Sequence, residues 1–315
     1  MRNFLASLCL LSCFTIAHAQ DAGTAGAFAR MGFGARGMGM GNTLTAVTTG
    51  DISTYYNPAL SAFAEHRTAS ATFGVLSLDR SLNFLSYTQS VQPTGGISLG
   101  LINAGVSNID GRDGDGVHTE NYSTFENQIF LAFSNRVGDD ISLGASIKVY
   151  YSKLFDEVKS TTVGFDIGGA VRITDQLSGG AVLQDINSKY KWDTKAIYGP
   201  SQAKTTEDKF PTLRRIGLAF SLPTHTGVLT AECENSSQGT TILRFGAEYA
   251  LVEEFTIRGG LDRLDFSDDA TGAKPTFGFS VKNSFNGWMP ELNYAFVFES
   301  FAPHGMHIIT LSAVF

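Results

Sequence analysis

The feature that most constrains this chain is an alternation of apolar and polar side chains, which recurs from residue 70 to the C-terminus. It is clearest in residues 141–152, where the odd positions are apolar and the even positions are mainly Ser, Gly and Lys. The same period of two is present in residues 163–168, 243–249 and 255–262. Because successive side chains of a β-strand point to opposite faces, each segment predicts a strand with one apolar and one polar face.

Segments of this kind number about fourteen, and an even count is typical of single-chain bacterial outer-membrane barrels. The strands are expected to begin near Ser70, Ser81, Gly96, Thr124, Ile141, Ser160, Leu177, Thr212, Gly227, Thr240, Phe255, Thr276, Glu291 and Gly305. The 34 glycines and 24 phenylalanines, against eight prolines, fit many strands joined by tight bends and flanked by aromatic girdles. The sequence therefore predicts an all-β fold.

The lengths of the connections give an independent test, because outer-membrane barrels have short periplasmic turns and longer outer loops. The longer connections fall on one side of the predicted sheet: residues 106–123, 187–211 and 264–275. The short ones fall on the other side: residues 174–176, 223–225 and 252–254. The turn at Asp79 and Arg80 is an exception, since it is short but lies on the long-loop side. This parity favours a transmembrane antiparallel barrel over residues 67–315 rather than a soluble β-sandwich, which does not require it.

The C-terminal segment, residues 305–315, places four apolar side chains on one face and ends the chain on an aromatic residue. These residues are Ile309, Leu311, Ala313 and Phe315. The pattern resembles the C-terminal signal that the barrel-assembly machinery recognises in outer-membrane proteins. We therefore expect this machinery and outer-membrane lipid to be partners of the chain, with Phe315 as its assembly signal.

The first 19 residues have the features of a secretory signal peptide. Arg2 supplies the positive charge, residues 4–16 are largely apolar, and residues 17–19 form an A-x-A cleavage site. Cleavage near Ala19 predicts a mature chain in the Gram-negative outer membrane. A lipoprotein box ending at Cys13 is the alternative, although the apolar run before it is short. After cleavage Cys233 alone remains, so no intrachain disulfide is expected, and its register with Leu229 places it on the lipid face.

Composition and motifs exclude several classes of function. With 23 basic and 30 acidic residues and no long basic run, the chain is not expected to bind nucleic acid. Residues 32–37 spell G-x-G-x-x-G, but no strand precedes them, so they do not predict a dinucleotide site. Asp110, Asp113 and Asp115 lack the closing Glu of a calcium loop, and the histidines lack zinc spacing. No catalytic constellation is present, so we expect neither an enzyme nor a cofactor or metal site.

Residues 20–66 do not alternate, and they contain two distinctive runs, G-A-R-G-M-G-M-G at 34–41 and Y-Y-N-P-A at 55–59. Here the chain resembles the PorV/PorQ family, within the wider superfamily of FadL-type transporters. The resemblance implies that this segment folds into a fourteen-stranded barrel as a hatch. The residues that carry the motif are Gly34, Arg36, Gly37, Gly39, Gly41, Asn57, Pro58 and Ala59. Their expected role is to shape the hatch rather than to contact a ligand, because Asn-Pro sets a turn and glycine permits close packing.

The polar register of the strands carries charges that we expect to face the lumen and to pair beneath the hatch. They are Lys148, Asp166, Arg172, Arg244, Glu248, Arg258 and Asp262. The same register predicts that arginine at outward-facing Ala145 costs about 2 to 4 kcal/mol, and at inward-facing Ser146 far less.

The family resemblance implies two functions. On the PorV/PorQ side, the barrel is a type IX secretion component that holds or shuttles surface proteins and contacts secretion-system proteins or cargo C-terminal domains. On the FadL side, it passes a hydrophobic small molecule beside the hatch. The first is the interpretation that the sequence favours slightly.

Overall fold

The computed structural model describes residues 23–155, 157–223, 226–265, 273–285, 287–300 and 302–315. The predicted signal peptide lies outside these ranges, as do residues 224 and 225 of one predicted turn and residues 266–272 of one predicted outer loop.

Fourteen antiparallel strands close into a barrel. Each strand pairs with the next one along the chain, except that β7 pairs with β10, and the first strand, β1, pairs with the last, β16. The barrel strands are β1 (Thr68–Val75), β2 (Arg80–Val91), β3 (Gly95–Arg112), β4 (His118–Val137), β5 (Ile141–Phe155), β6 (Val158–Arg172), β7 (Leu177–Ile186), β10 (Leu213–Ser221), β11 (Gly227–Ser236), β12 (Thr241–Val252), β13 (Phe255–Asp265), β14 (Lys274–Lys282), β15 (Met289–Val297) and β16 (Met306–Val314). The predicted fold class and strand number are therefore confirmed.

Every predicted strand start except one lies within two residues of the observed start. The exception is β4, which begins at His118 rather than near Thr124. Above the barrel rim, β3 and β4 continue as a two-stranded hairpin in which Ile109 pairs with Tyr122. Most of the loop expected at residues 106–123 is therefore strand. The sequence pattern did not reveal this, because water replaces lipid on both faces of the hairpin and the apolar alternation ends there.

The connection after β7 also contains regular structure. A separate hairpin of β8 (Lys189–Asp193) and β9 (Thr205–Lys209) rises from the outer end, with one short helix, Lys195–Tyr198, between its strands. Lys191 N–H donates to Ser160 Oγ over 2.8 Å, which holds this hairpin against β6. Both hairpins lie at the end with the long connections, which is the outer end of such barrels.

Side chains of the barrel strands alternate between an exposed outer face and a buried inner face. In β5, for example, Leu143, Ala145 and Ile147 point outward, whereas Ser146 and Lys148 point into the lumen. Large apolar side chains are exposed on the outer face all round the barrel, which is the surface that lipid requires. Arginine at Ala145 is therefore expected to lower the free energy of unfolding by about 2 to 4 kcal/mol. Reversible unfolding in lipid vesicles measures this value.

The matched control for that substitution is Ile141→Arg, on the same face at the periplasmic end of β5, where the cost falls to about 0 to 1 kcal/mol. Equal costs at the two positions would contradict the assigned depth. Ser146 is not a tolerant site, contrary to the expectation from its register. Its side chain is 5 % exposed and it pairs across the sheet with Asp166, so an added arginine has no room.

The interior of the barrel is filled by the residues that precede β1. Helix α1 (Gly34–Gly39) contacts β13, β14, β15 and β16, whereas the 3₁₀ turn Pro58–Phe63 contacts β2 to β6. One short segment can touch opposite walls of a closed barrel only from within it. In the described chain, no helix has the length and apolar character needed to cross a bilayer.

Candidate functional site

The lumen and the segment inside it are the candidate site. The segment lies very close to the wall, and glycines on the inner face of the strands make this possible. A Cβ atom at Gly246 of β12 would lie 2.4 Å from Met40 O, and one at Gly180 of β7 would lie 2.2 Å from Thr45 O. Such distances are far inside van der Waals contact, so these wall positions admit no side chain. Sequence reasoning missed them, although glycine at inner-face positions of a strand is a readable signal.

The glycine-rich run, residues 34–41, forms a short helix whose glycines allow other residues of the interior to pack against its backbone. Gly34, Gly37 and Gly39 lie in α1, and Gly41 follows it at a φ of 64°. At Gly37 a Cβ would lie 2.2 Å from Tyr56 Oη, so the ring of Tyr56 packs directly on the helix backbone. The hydroxyl of Tyr56 accepts from Phe33 N–H and donates to Asn42 Oδ1. Glycine at position 37 therefore allows the buried Tyr56 to bond with residues that precede and follow α1.

The N-P-A box fixes the second contact of the segment with the wall. Asn57 Oδ1 accepts from Ala59 N–H over 3.0 Å, which caps the turn that Pro58 begins. Its amide group donates to Thr45 O and to Gly169 O of β6. Asn57 is fully buried, so a single side chain satisfies its own turn, the neighbouring loop of the segment and the barrel wall.

Arg36 connects the segment to the wall by charge. Its guanidinium donates to both carboxylate oxygens of Glu248 on β12, over 3.0 and 2.8 Å, and to the carbonyl oxygens of Thr49 and Asp51. Glu248 also accepts from Arg258 Nε over 2.5 Å and is therefore shared by two cations. Burial raises the pKa of the Asp51 carboxyl to about 6, and Arg36 partly offsets this shift.

A second charge cluster lies on β10 to β13. Arg244 contacts Glu234 over 3.1 Å and Asp262 over 2.6 Å, and Arg215 contacts Glu234 over 2.5 Å. Asn42 of the inner segment donates to Asp262, so this cluster also contacts the segment.

A third cluster lies on β5 to β7. Lys148 Nζ is 2.7 Å from Asp166 and 3.1 Å from Asp185, and all three side chains are at most 4 % exposed. Tyr150 Oη donates to Asp185, and Asp185 N–H donates to Asp166 Oδ1. Two buried carboxylates thus share one ammonium group, and one of them, Asp185, also accepts from a phenol.

The structure places each of the seven charges predicted from the polar register on the inner face. Arg172 is partly buried, and its guanidinium lies 4.5 Å from the ring centroid of Phe63. Sequence reasoning did not select Arg215, Glu232, Glu234 or Asp185. The period of two predicts that Glu232 and Glu234 face inward. It does not identify Arg215, because the neighbouring Arg214 is equally polar and the two faces cannot be told apart there. Asp185 has a φ of 58° and breaks the strand pattern, so no sequence signal marks it.

The remaining predicted residues lie as follows. Phe315 ends the chain half exposed, and its N–H and carbonyl bond with the backbone of Arg67. Cys233 is half-buried on the outward register of β11. Asp110 pairs with Arg112 and His118 in the outer hairpin. Within the described ranges, no group of three or more His, Cys, Asp or Glu side chains is placed to hold a metal ion.

Apolar side chains dominate the outer half of the lumen on the side of β1 to β5. Phe33 of the inner segment lies 4.8 Å from the ring of Phe84 and 5.9 Å from that of Phe130, between ring centroids. Deeper in the barrel, a cavity of about 20 Å³ lies between the segment and the wall, beside Ala35, Asp51 and Thr310. This cavity holds roughly one water molecule. The described lumen is thus a packed interior rather than an open channel.

Comparisons with known proteins agree with this architecture. No family model matches the sequence, and no curated protein matches it. The structure is similar to that of the Pseudomonas putida toluene transporter TodX, with a TM-score of 0.62 and 15 % identity, over 90 % of this chain and 96 % of TodX. The chain has the fold of this transporter.

Two further solved structures are similar over 90 % of this chain and 98 % of their own. They are the Ralstonia pickettii toluene transporter TbuX, at a TM-score of 0.61 and 14 % identity, and a Pseudomonas aeruginosa FadL homologue, at 0.62 and 12 % identity. Identities this low establish the fold and nothing finer. The chain therefore shares its fold with these barrels, and the PorV/PorQ resemblance rests on the N-terminal motif alone.

Proposed function

We propose that this chain is an outer-membrane conduit for small hydrophobic molecules, with the N-terminal segment as its hatch. The observation that carries the proposal is the apolar lining of the outer half of the lumen, where Phe84 and Phe130 of the wall pack against Phe33 of the hatch. The fold shared with two toluene transporters supports it. Of the two functions that the family resemblance implies, the comparisons therefore favour the second.

Passage requires the hatch to move, because a cavity of about 20 Å³ is too small for a hydrocarbon. The hatch is held by side-chain bonds to several strands. Ser61 in the turn Pro58–Phe63 and Ser134 on β4 have hydroxyl oxygens 2.7 Å apart, and a cysteine pair at these positions has the spacing for a disulfide.

Uptake of toluene into vesicles tests the conduit and its gate together. The oxidised S61C/S134C variant is expected to lose toluene uptake and to regain it on reduction. The matched control is S70C/S86C, since the hydroxyl oxygens of Ser70 and Ser86 are also 2.7 Å apart but both belong to the wall. That variant should transport normally in both states. Equal uptake with and without the protein would contradict the conduit, and uptake insensitive to oxidation would contradict the hatch as its gate.

A role as a type IX secretion scaffold of the PorV/PorQ kind is the second candidate. The observation that favours it is the outer hairpin of β3 and β4, which extends beyond the neighbouring strands with exposed side chains on both faces. Replacing residues 107–123 by a short turn should then abolish co-purification of secretion-system proteins or cargo C-terminal domains, while the barrel still assembles. Unchanged co-purification would contradict this role.

A further inference from the structure

Gln128 has no polar partner in the lumen. It lies on the inner face of β4, is fully buried, and neither its amide oxygen nor its amide nitrogen has a hydrogen-bond partner among the described residues. Leaving such a group unpaired is unfavourable, and buried amides are almost always hydrogen-bonded. An exception inside a candidate transport site points to a partner that binds there.

The side chains around Gln128 cannot satisfy it. Ile102 and Tyr150 are its neighbours across the sheet, and Phe130 is the next inner-face residue on β4. The hydroxyl of Tyr150 donates to Asp185, and the carboxylate of Glu126, on the other side of Gln128, accepts from Tyr190. Both of these polar groups are thus engaged, and the flanking side chains of Ile102 and Phe130 are apolar.

The hatch fills the space in front of this surface with apolar groups. Phe33 packs on Phe84 and Phe130, its ring stacks on Tyr55, and Phe28 and Ala29 belong to the same buried cluster. The described hatch residues therefore occupy the place of the apolar part of a ligand, but they make no hydrogen bond with the Gln128 amide.

We propose that Gln128 is a specificity-determining residue, which selects aromatic molecules that carry one neutral hydroxyl group over plain aromatic hydrocarbons. The inference rests on the proposed conduit function. A hydroxyl both donates and accepts, so it pairs with either atom of the amide, whereas a hydrocarbon leaves both unpaired. The surrounding rings favour an aromatic body through edge-to-face contacts. A carboxylate is disfavoured, because it only accepts and would lie near Glu126.

Two probes that differ by one hydroxyl test the inference, 4-methylphenol and toluene. The native barrel is expected to bind 4-methylphenol about tenfold more tightly than toluene, as one buried hydrogen bond provides. In Gln128→Leu this ratio should fall to about one, and 4-methylbenzoate should bind neither protein. Gln128→Met, which keeps the unbranched shape, should behave in the same way and covers the case in which leucine prevents folding.

Gln184 supplies the matched control, because it is also a buried inner-face glutamine but donates to Tyr55 O over 2.9 Å. Gln128→Leu should raise the temperature midpoint of heat-modified migration on gels by about 2 to 5 °C, since it removes an unpaired amide. Gln184→Leu should lower that midpoint and leave the ligand ratio unchanged.

The failures of the two proposals are distinguishable. Toluene uptake with equal affinity for the two probes, or a ratio that survives in Gln128→Leu, would overturn the role of Gln128 alone. No uptake of either probe would overturn the conduit itself.

Discussion

Replacing Lys148 with methionine is expected to lower the free energy of unfolding by about 3 to 5 kcal/mol. Among the described residues, the substitution removes the one cation within 4.0 Å of two buried carboxylates, Asp166 and Asp185, and methionine keeps most of the side-chain volume. Attraction to a distant charge cannot replace a contact of 2.7 Å inside the lumen wall. Reversible unfolding in lipid vesicles, followed by gel migration, measures the loss.

Two controls separate charge from packing at Lys148. Lys153→Met alters the same strand near its outer end, where the ammonium lies 5.8 Å from the ring of Phe125, and should cost less than about 1 kcal/mol. The triple variant K148M/D166N/D185N removes all three charges and should recover most of the stability. The single variant should also become more stable as the pH falls, because protonation discharges the unpaired carboxylates. A cost for Lys148→Met no larger than that for Lys153→Met would disprove the buried cluster.

Replacing Glu248 with leucine is expected to have the largest effect on permeability. Glu248 is shared by Arg36 of the hatch and Arg258 of the wall, so its loss leaves two buried guanidinium groups without their common anion. We expect a loss of about 3 to 5 kcal/mol in stability and a hatch that leaves the wall more often. The conductance of the single variant across planar bilayers should therefore rise above that of the native barrel.

Glu299 is a matched control for this substitution. Its carboxylate is also shared by two cations, Arg80 and Lys274, but it belongs to the outer rim and makes no contact with the hatch in the described contacts. Glu299→Leu should leave conductance unchanged. The double variant R36M/E248L removes the charge imbalance and should recover part of the stability while it keeps the raised conductance. If Glu248→Leu and Glu299→Leu conduct alike, the Arg36 ion pair does not hold the hatch.

The period of two was sufficient to predict the barrel, because lipid outside and a packed interior inside impose opposite demands on alternate residues of every strand. It also placed Lys148, Asp166 and Glu248 on the inner face. It failed above the rim at residues 107–123, where both faces meet water and the alternation disappears.

The sequence did not predict which polar side chains contact each other inside the lumen. Parity puts Gln128 in the interior, but whether its amide finds a partner depends on strands far away in the chain. Asp185 is within reach of Lys148 because its backbone adopts a φ of 58°, which no periodic pattern predicts. Parity also treats Ser146 as a lumen position open to water, whereas the hatch and neighbouring strands leave it no space.

The position of the hatch has a consequence for how the barrel forms. Strands β1 and β16 lie at opposite ends of the chain, and pairing such distant segments carries a high entropic cost and is intrinsically slow. The hatch directly precedes β1, and it already reaches β16, since Ala35 N–H donates to Thr310 Oγ1 over 2.9 Å across 275 residues. Its turn Pro58–Phe63 contacts β2 to β6 on the other side of the same seam. We therefore expect the hatch to act as an internal template that helps the last strand of the barrel to find the first.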